Sequence, residues 1–225
     1  MQWKDSNTLL FRSNDGKTLL ESQLEEIKDN VIVVEDSLHW KPNHVYAFNV
    51  KDKSIKRLTN NKKPTGNYTV SPDGKWLVYS MSRSRSYASD AQKDPFYYLK
   101  NLETGTVKQV ITDRGFPIGG IQFSKDNKGF YFLSEFGSEP KWNEAGITEF
   151  FYYTISTNSY QKVDLKWEMG VSRGYEVIGN NVIVSLANKT GLRLAYFIKN
   201  TTGWSKSKID LGVKNDHTII HAGAE

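Results

Sequence analysis

The 225-residue sequence contains no cysteine. That excludes structural disulfides, thiolate zinc sites and a cysteine nucleophile, and it leaves reducing and oxidising compartments equally open. Nor does any apolar stretch approach the roughly 18 residues a helix needs to cross a bilayer, so no membrane span is expected. Charge of one sign is never concentrated: 30 Lys and Arg stand against 25 Asp and Glu, for a formal net charge of +5. A nucleic-acid surface would want clustered cations with exposed aromatics, or a recognisable binding module. The densest basic cluster, Lys51 to Lys63, falls in a hairpin and its exit loop and reads as solvated surface, so no nucleic-acid partner is expected.

What the sequence has in quantity is strand-forming chemistry. It carries 12 Tyr, 11 Phe and 6 Trp, with β-branched runs such as Val31 to Val34 and Val182 to Val184 among them. It also repeats itself. Met1 to Arg12, Tyr68 to Tyr79 and Ile121 to Phe132 each read as strand, tight turn, strand. A second hairpin follows each, beginning at His44, Phe96 and Phe150, and a fourth begins at Arg193. The repeating unit is therefore two hairpins, or four strands. With Tyr46, Tyr98 and Tyr152 as equivalent points the spacings are 52 and 54 residues, close to the roughly 40–50 of a propeller blade with a modest insertion. A lone four-stranded sheet cannot bury both faces, so such units stack.

The turn residues support this spacing. In Ser71-Pro-Asp-Gly74, proline presets φ, glycine accepts positive φ and aspartate can bond nearby backbone. Asp52, Glu103 to Gly105 and Asn158-Ser159 occupy the turns of the second hairpins. The expected fold is all-β, a propeller of four-stranded antiparallel blades at about 1–60, 68–112, 119–165 and 172–212, with 217–225 opening or closing another. Leu20, Leu24 and Ile27 follow Thr18 at helical spacing and suggest either a short helix inserted in the first blade before Val31 or a further strand.

The segment Ser71-Pro-Asp-Gly-Lys-Trp-Leu-Val-Tyr79 resembles the repeat signature of TolB-type propellers, and Ser124-Lys-Asp-Asn-Lys-Gly-Phe-Tyr-Phe132 is similar to it. Such repeats occur in periplasmic TolB-type binding propellers and in the amino-terminal propeller of prolyl-oligopeptidase-family serine peptidases. In those peptidases seven or eight blades cap a separate α/β-hydrolase domain and restrict access to short peptides. About four blades are expected here, so the resemblance implies part of a larger propeller. It also implies an α/β-hydrolase catalytic domain or a peptide substrate as partner. The alternative it allows is a protein-binding propeller without enzymatic activity.

Catalytic residues are expected nowhere in the chain. Gly170-Val-Ser-Arg-Gly174 matches the G-x-S-x-G pattern of a nucleophile elbow, with Asp210 or Asp216 and His217 or His221 following in order. An elbow needs a strand before the serine and a helix after it, whereas Gly179-Asn-Asn181 breaks the chain seven residues on and Val182 to Leu186 is a strand. Ser172 is therefore expected in an inter-blade loop. His39 and His44, with Glu35 and Asp36 nearby, match no common metal spacing, so no metal and no cofactor is expected. The functional lead is a pair of insertions at corresponding places, Ser82 to Pro95 in the second blade and Gly137 to Gly146 in the third. Loops of one class build contact surfaces together. Arg83, Arg85, Tyr87, Glu139, Trp142 and Glu144 are the candidate rim contacts.

Overall fold

The computed structural model describes residues 1–17, 19–28, 42–83, 95–112, 118–136, 146–189, 191–200 and 203–208. Their strands form four antiparallel four-stranded sheets, each in simple up-and-down order. The first comprises β1 (Gln2–Asp5), β2 (Thr8–Ser13), β3 (His44–Asn49) and β4 (Ile55–Arg57), and the second β5 (Thr65–Val70), β6 (Trp76–Met81), β7 (Phe96–Asn101) and β8 (Val107–Val110). The third comprises β9 (Ile118–Phe123), β10 (Gly129–Phe136), β11 (Ile147–Thr154) and β12 (Ser159–Lys162). The fourth is built of β13 (Val171–Ile178), β14 (Asn181–Asn188), β15 (Gly191–Asn200) and β16 (Gly203–Lys208). These are propeller blades, as the repeat predicts. Of the two readings of the segment around Leu20 to Ile27, the helix is the one present, as α1 (Leu19–Glu26) between β2 and β3. Val31 to Val34 lies outside the described residues.

Strand pairing shows how closely the first three blades repeat. Thr8 faces Asn49, Trp76 faces Asn101 and Gly129 faces Thr154, one residue before the turn in each second hairpin. Three residues further in, Phe11 stacks on Tyr46 (5.5 Å), Tyr79 on Tyr98 (5.4 Å) and Phe132 on Phe151 (5.1 Å). Such cross-strand aromatic pairs add about 0.5–1.5 kcal/mol each beyond their buried area. The residue equivalent to Tyr46 and Tyr98 is thus Phe151, not Tyr152, and the spacings are 52 and 53 residues. Sequence reading took Tyr152 in place of Phe151 because the aromatic run Phe150 to Tyr153 offers a ring at every position. Tyr152 points to the opposite face of its blade, as a period of two requires.

The chain divides into two compact units, Met1–Tyr68 with Trp76–Lys108, and Thr69–Lys75 with Gln109–Glu225. In the second unit Tyr131, Phe150 and Tyr152 of the third blade meet Val171, Tyr175, Val182, Val184, Leu186, Ala195 and Phe197 of the fourth in one buried core. The polar edge of that core is closed by Gln122, whose Nε2 donates to the Tyr175 carbonyl (3.1 Å) while its Oε1 accepts from the Val177 amide (3.2 Å). One side chain there completes a strand ladder between β9 and β13. Tyr175 returns the contact by donating its hydroxyl to the Gly120 carbonyl.

In the first unit the same task falls to Arg12 and Tyr68. Arg12 Nη1 donates to the carbonyls of Thr65 (3.2 Å) and Gly66 (2.8 Å), and the Tyr68 hydroxyl donates to the Leu10 carbonyl (3.0 Å). Leu10 and Val45 are fully buried beneath these bonds. A buried carbonyl without a partner costs about 1–3 kcal/mol, so these bonds hold the first two blades in register.

Candidate functional site

Of the six candidate rim residues, Arg83 is described; Arg85, Tyr87, Glu139, Trp142 and Glu144 lie outside the described residues. Arg83 follows the end of β6, and its guanidinium sits 4.5 Å from the centre of the Phe96 ring at the start of β7. Its Nε is buried without a hydrogen-bond partner. Cation–π contact supplies about 0.5–2 kcal/mol in such a setting and leaves the rest of the guanidinium fork available. The two insertions singled out by the sequence both join the second strand of a sheet to the third, β6 to β7 and β10 to β11. The connection carrying α1, between β2 and β3, belongs to the same class.

Ser172 lies on β13, where the register slips between Val171 and Gly174, and its side chain is exposed. The loop expectation is corrected: the residue belongs to the first strand of the fourth blade. Strand continues on its C-terminal side to Ile178, where a nucleophile elbow would place a helix. Gly170 (φ 68°) and Gly174 (φ 118°) bracket the irregularity, so the G-x-S-x-G spacing is that of a β-bulge.

His44 opens β3 and is 4% exposed. Its Nδ1 lies 3.1 Å from Asn61 Oδ1 and its Nε2 3.5 Å from Asp15 Oδ2. Asp15 also accepts from the Tyr46 hydroxyl and from Arg57 Nη1 (2.6 Å). The Tyr46 bond is the largest influence holding the Asp15 carboxyl below the usual range; desolvation, next in size, opposes it, and His44 and Arg57 add to the lowering. This network ties the α1 connection to β3 and β4. His39, Glu35 and Asp36 lie outside the described residues.

The first unit also contains a cleft of about 530 Å³ that the sequence reading did not anticipate. One wall is a face of the second blade, where Tyr79 stacks on Tyr98 and Met81 faces Phe96 across β6 and β7. The opposite wall is the segment Leu58 to Lys63 leaving β4, and Gly105 and Val107 close one side. Lys100, on the same face as Tyr98, donates from Nζ to the Leu58 carbonyl (2.5 Å). Desolvation, followed by repulsion from Lys56, lowers its pKa. Burial, followed by the Tyr98 hydroxyl, raises the Tyr79 pKa to about 12. Lys62 and Lys63 also line the cleft, and none of its described lining residues is acidic. Only a lysine inside an aromatic strand hinted at it, and that hint becomes legible once the blades are aligned by register.

No protein-family model and no curated protein matches this sequence. Solved structures do match in fold. TolB from Acinetobacter baumannii aligns with 76% of this chain at 19% identity and a TM-score of 0.50, over 39% of its own length. The acylaminoacyl peptidase of Pyrococcus horikoshii aligns with 92% at 14% identity and a TM-score of 0.57, over 31% of its length. An oligogalacturonate lyase solved with manganese aligns with 90% at 10% identity and a TM-score of 0.58, over 50% of its length. The chain therefore spans between about a third and a half of the proteins it is similar to.

Proposed function

The four sheets being propeller blades of the TolB-like kind, we propose that they form the non-catalytic propeller portion of a prolyl-oligopeptidase-type serine peptidase. In this reading the blades gate the access of peptides and dock an α/β-hydrolase domain, which carries the Ser-Asp-His triad. The observation that supports it best is the placing of long connections between second and third strands in three of four blades, where a compact binding propeller needs only tight turns. The likeness to the acylaminoacyl peptidase over 92% of the chain is consistent with it. Arg83 and Arg85 are the contacts proposed to meet the hydrolase domain or an incoming peptide.

The reading is tested on the full-length protein. Short blocked peptides should be cleaved and folded proteins spared, and charge reversal by Arg83→Glu with Arg85→Glu should change peptide selectivity or loosen the hydrolase domain. Absence of any hydrolysis, in a reading frame that lacks a G-x-S-x-G-G elbow after Glu225, would overturn it. The likeness to TolB favours a second reading, a propeller that binds another protein without enzymatic activity. That reading predicts a stop after the last blade and a protein partner retained by the isolated propeller.

A further inference from the structure

The register of the first three blades exposes one position where the second blade departs from its neighbours. Phe48 and Tyr153 stand one residue before Asn49 and Thr154, and the equivalent residue before Asn101 is Lys100. In the third blade Tyr153 stacks on Phe130 at 4.7 Å and fills its face. In the second blade Lys100 faces Leu77 instead, its ammonium reaches the Leu58 carbonyl, and a cleft of about 530 Å³ lies beside it. That size accommodates a small ligand. Replacing an aromatic by a lysine inside a packed sheet face costs stability through desolvation. Here it adds a third lysine to a lining that holds Lys62 and Lys63 with the rings of Tyr79, Phe96 and Tyr98, and none of the described lining residues is acidic.

We propose that this cleft binds a small organic anion carrying a flat apolar body. The rings of Tyr98 and Phe96 take the body, and the ammonium groups of Lys62, Lys63 and Lys100 take the anionic group. Both parts of the ligand are needed. An inorganic ion would leave the aromatic floor uncovered, and a neutral ring would leave the Lys62, Lys63 and Lys100 cations unmatched by any carboxylate among the described lining residues. The site is built on Leu58 to Lys63, which follow β4, and on β6 to β8 of the second blade, and its Phe96 ring also carries Arg83 at the foot of the long insertion.

Isothermal titration of the purified protein with N-acetyl-phenylalanine, phenyl phosphate and the neutral N-acetyl-phenylalaninamide tests this. Saturable binding of the carboxylate or the phosphate is expected, and which of the two is tighter identifies the anionic group. The amide should bind at least about tenfold more weakly. Lys62→Ala with Lys63→Ala, at the surface and compatible with folding, should weaken the anion roughly tenfold and remove most of its salt dependence. Tyr98→Leu, checked for native circular dichroism, should weaken binding by a similar factor without changing the salt dependence. The proposal fails if neither anion binds at millimolar concentration, if the amide binds as well as the acid, or if the double lysine variant binds unchanged.

Discussion

Gly129 occupies the position held by Thr8 and Trp76 in the first two blades. A Cβ there would overlap the Tyr153 carbonyl and the Tyr152 ring, whose hydroxyl crosses the glycine to reach Ser124 Oγ at 3.2 Å. The residue is glycine because the Tyr153 carbonyl and the hydroxyl end of the Tyr152 ring, both from the neighbouring strand, occupy the space a Cβ would need. Gly129→Ala should therefore destabilise by about 1–3 kcal/mol, the usual range for overpacking, and lower the urea midpoint. An unchanged midpoint would mean that Tyr152 moves aside freely. None of this is legible in Asn127-Lys-Gly129, which reads as an ordinary turn exit. The glycine is explained by a ring 23 residues away in sequence. Lys100 was equally opaque, since a lysine in a strand reads as solvent-facing until its register partner Leu77 shows that it shares the face of Tyr79.

At the level of the hairpin the three second turns share one geometry built from different residues. Lys53 (φ 59°), Gly105 (φ 78°) and Asn158 (φ 53°) all occupy the left-handed region at the equivalent place. Asn49 and Asn101 stabilise the approach: Asn49 Oδ1 accepts from the Lys51 amide (2.9 Å), and Asn101 Oδ1 from those of Glu103 and Thr104 (2.9 Å each). Left-handed φ costs an ordinary side chain about 1–2 kcal/mol and glycine almost nothing, although glycine loses more backbone freedom on folding. Lys53→Gly should stabilise by about 0.5–1 kcal/mol on this balance. Asn158→Gly should destabilise instead, because Asn158 Oδ1 accepts the Tyr153 hydroxyl at 2.5 Å. Urea midpoints of the two variants moving in the same direction would contradict this account. The turn positions were visible in the sequence; the opposite signs follow from a side-chain bond that only folding creates.

Across the whole molecule, buried phenols link stability to alkaline pH. Burial raises Tyr79 and Tyr153 to about 12, and pushes Tyr131 and Tyr175 up further in the core between the third and fourth blades. The free phenol titrates near pH 10. Between these values the unfolded chain loses protons that the folded chain retains, so unfolding releases protons and stability falls as pH rises. The contribution is fully present below about pH 10 and is lost as pH rises toward the folded pKa values. The urea midpoint should hold to about pH 10 and then decline, with phenolate absorbance rising in step with unfolding and not before it. Phenolate absorbance that rises fully while the fold persists would show that these rings reach solvent.

The sequence by itself determined the class of the molecule. Aromatic alternation, turn residues and a period near 52 residues are local signals, and local signals dictate strands, hairpins and their repetition. Which member of a run such as Phe150 to Tyr153 faces which side was decided only by tertiary structure, because a one-residue slip exchanges the two faces of a strand and an all-aromatic run tolerates either in sequence. The same limit hid the cleft beside Lys100. A cavity exists where side chains distant in sequence fail to fill a shared space, and no single stretch of the chain records that failure.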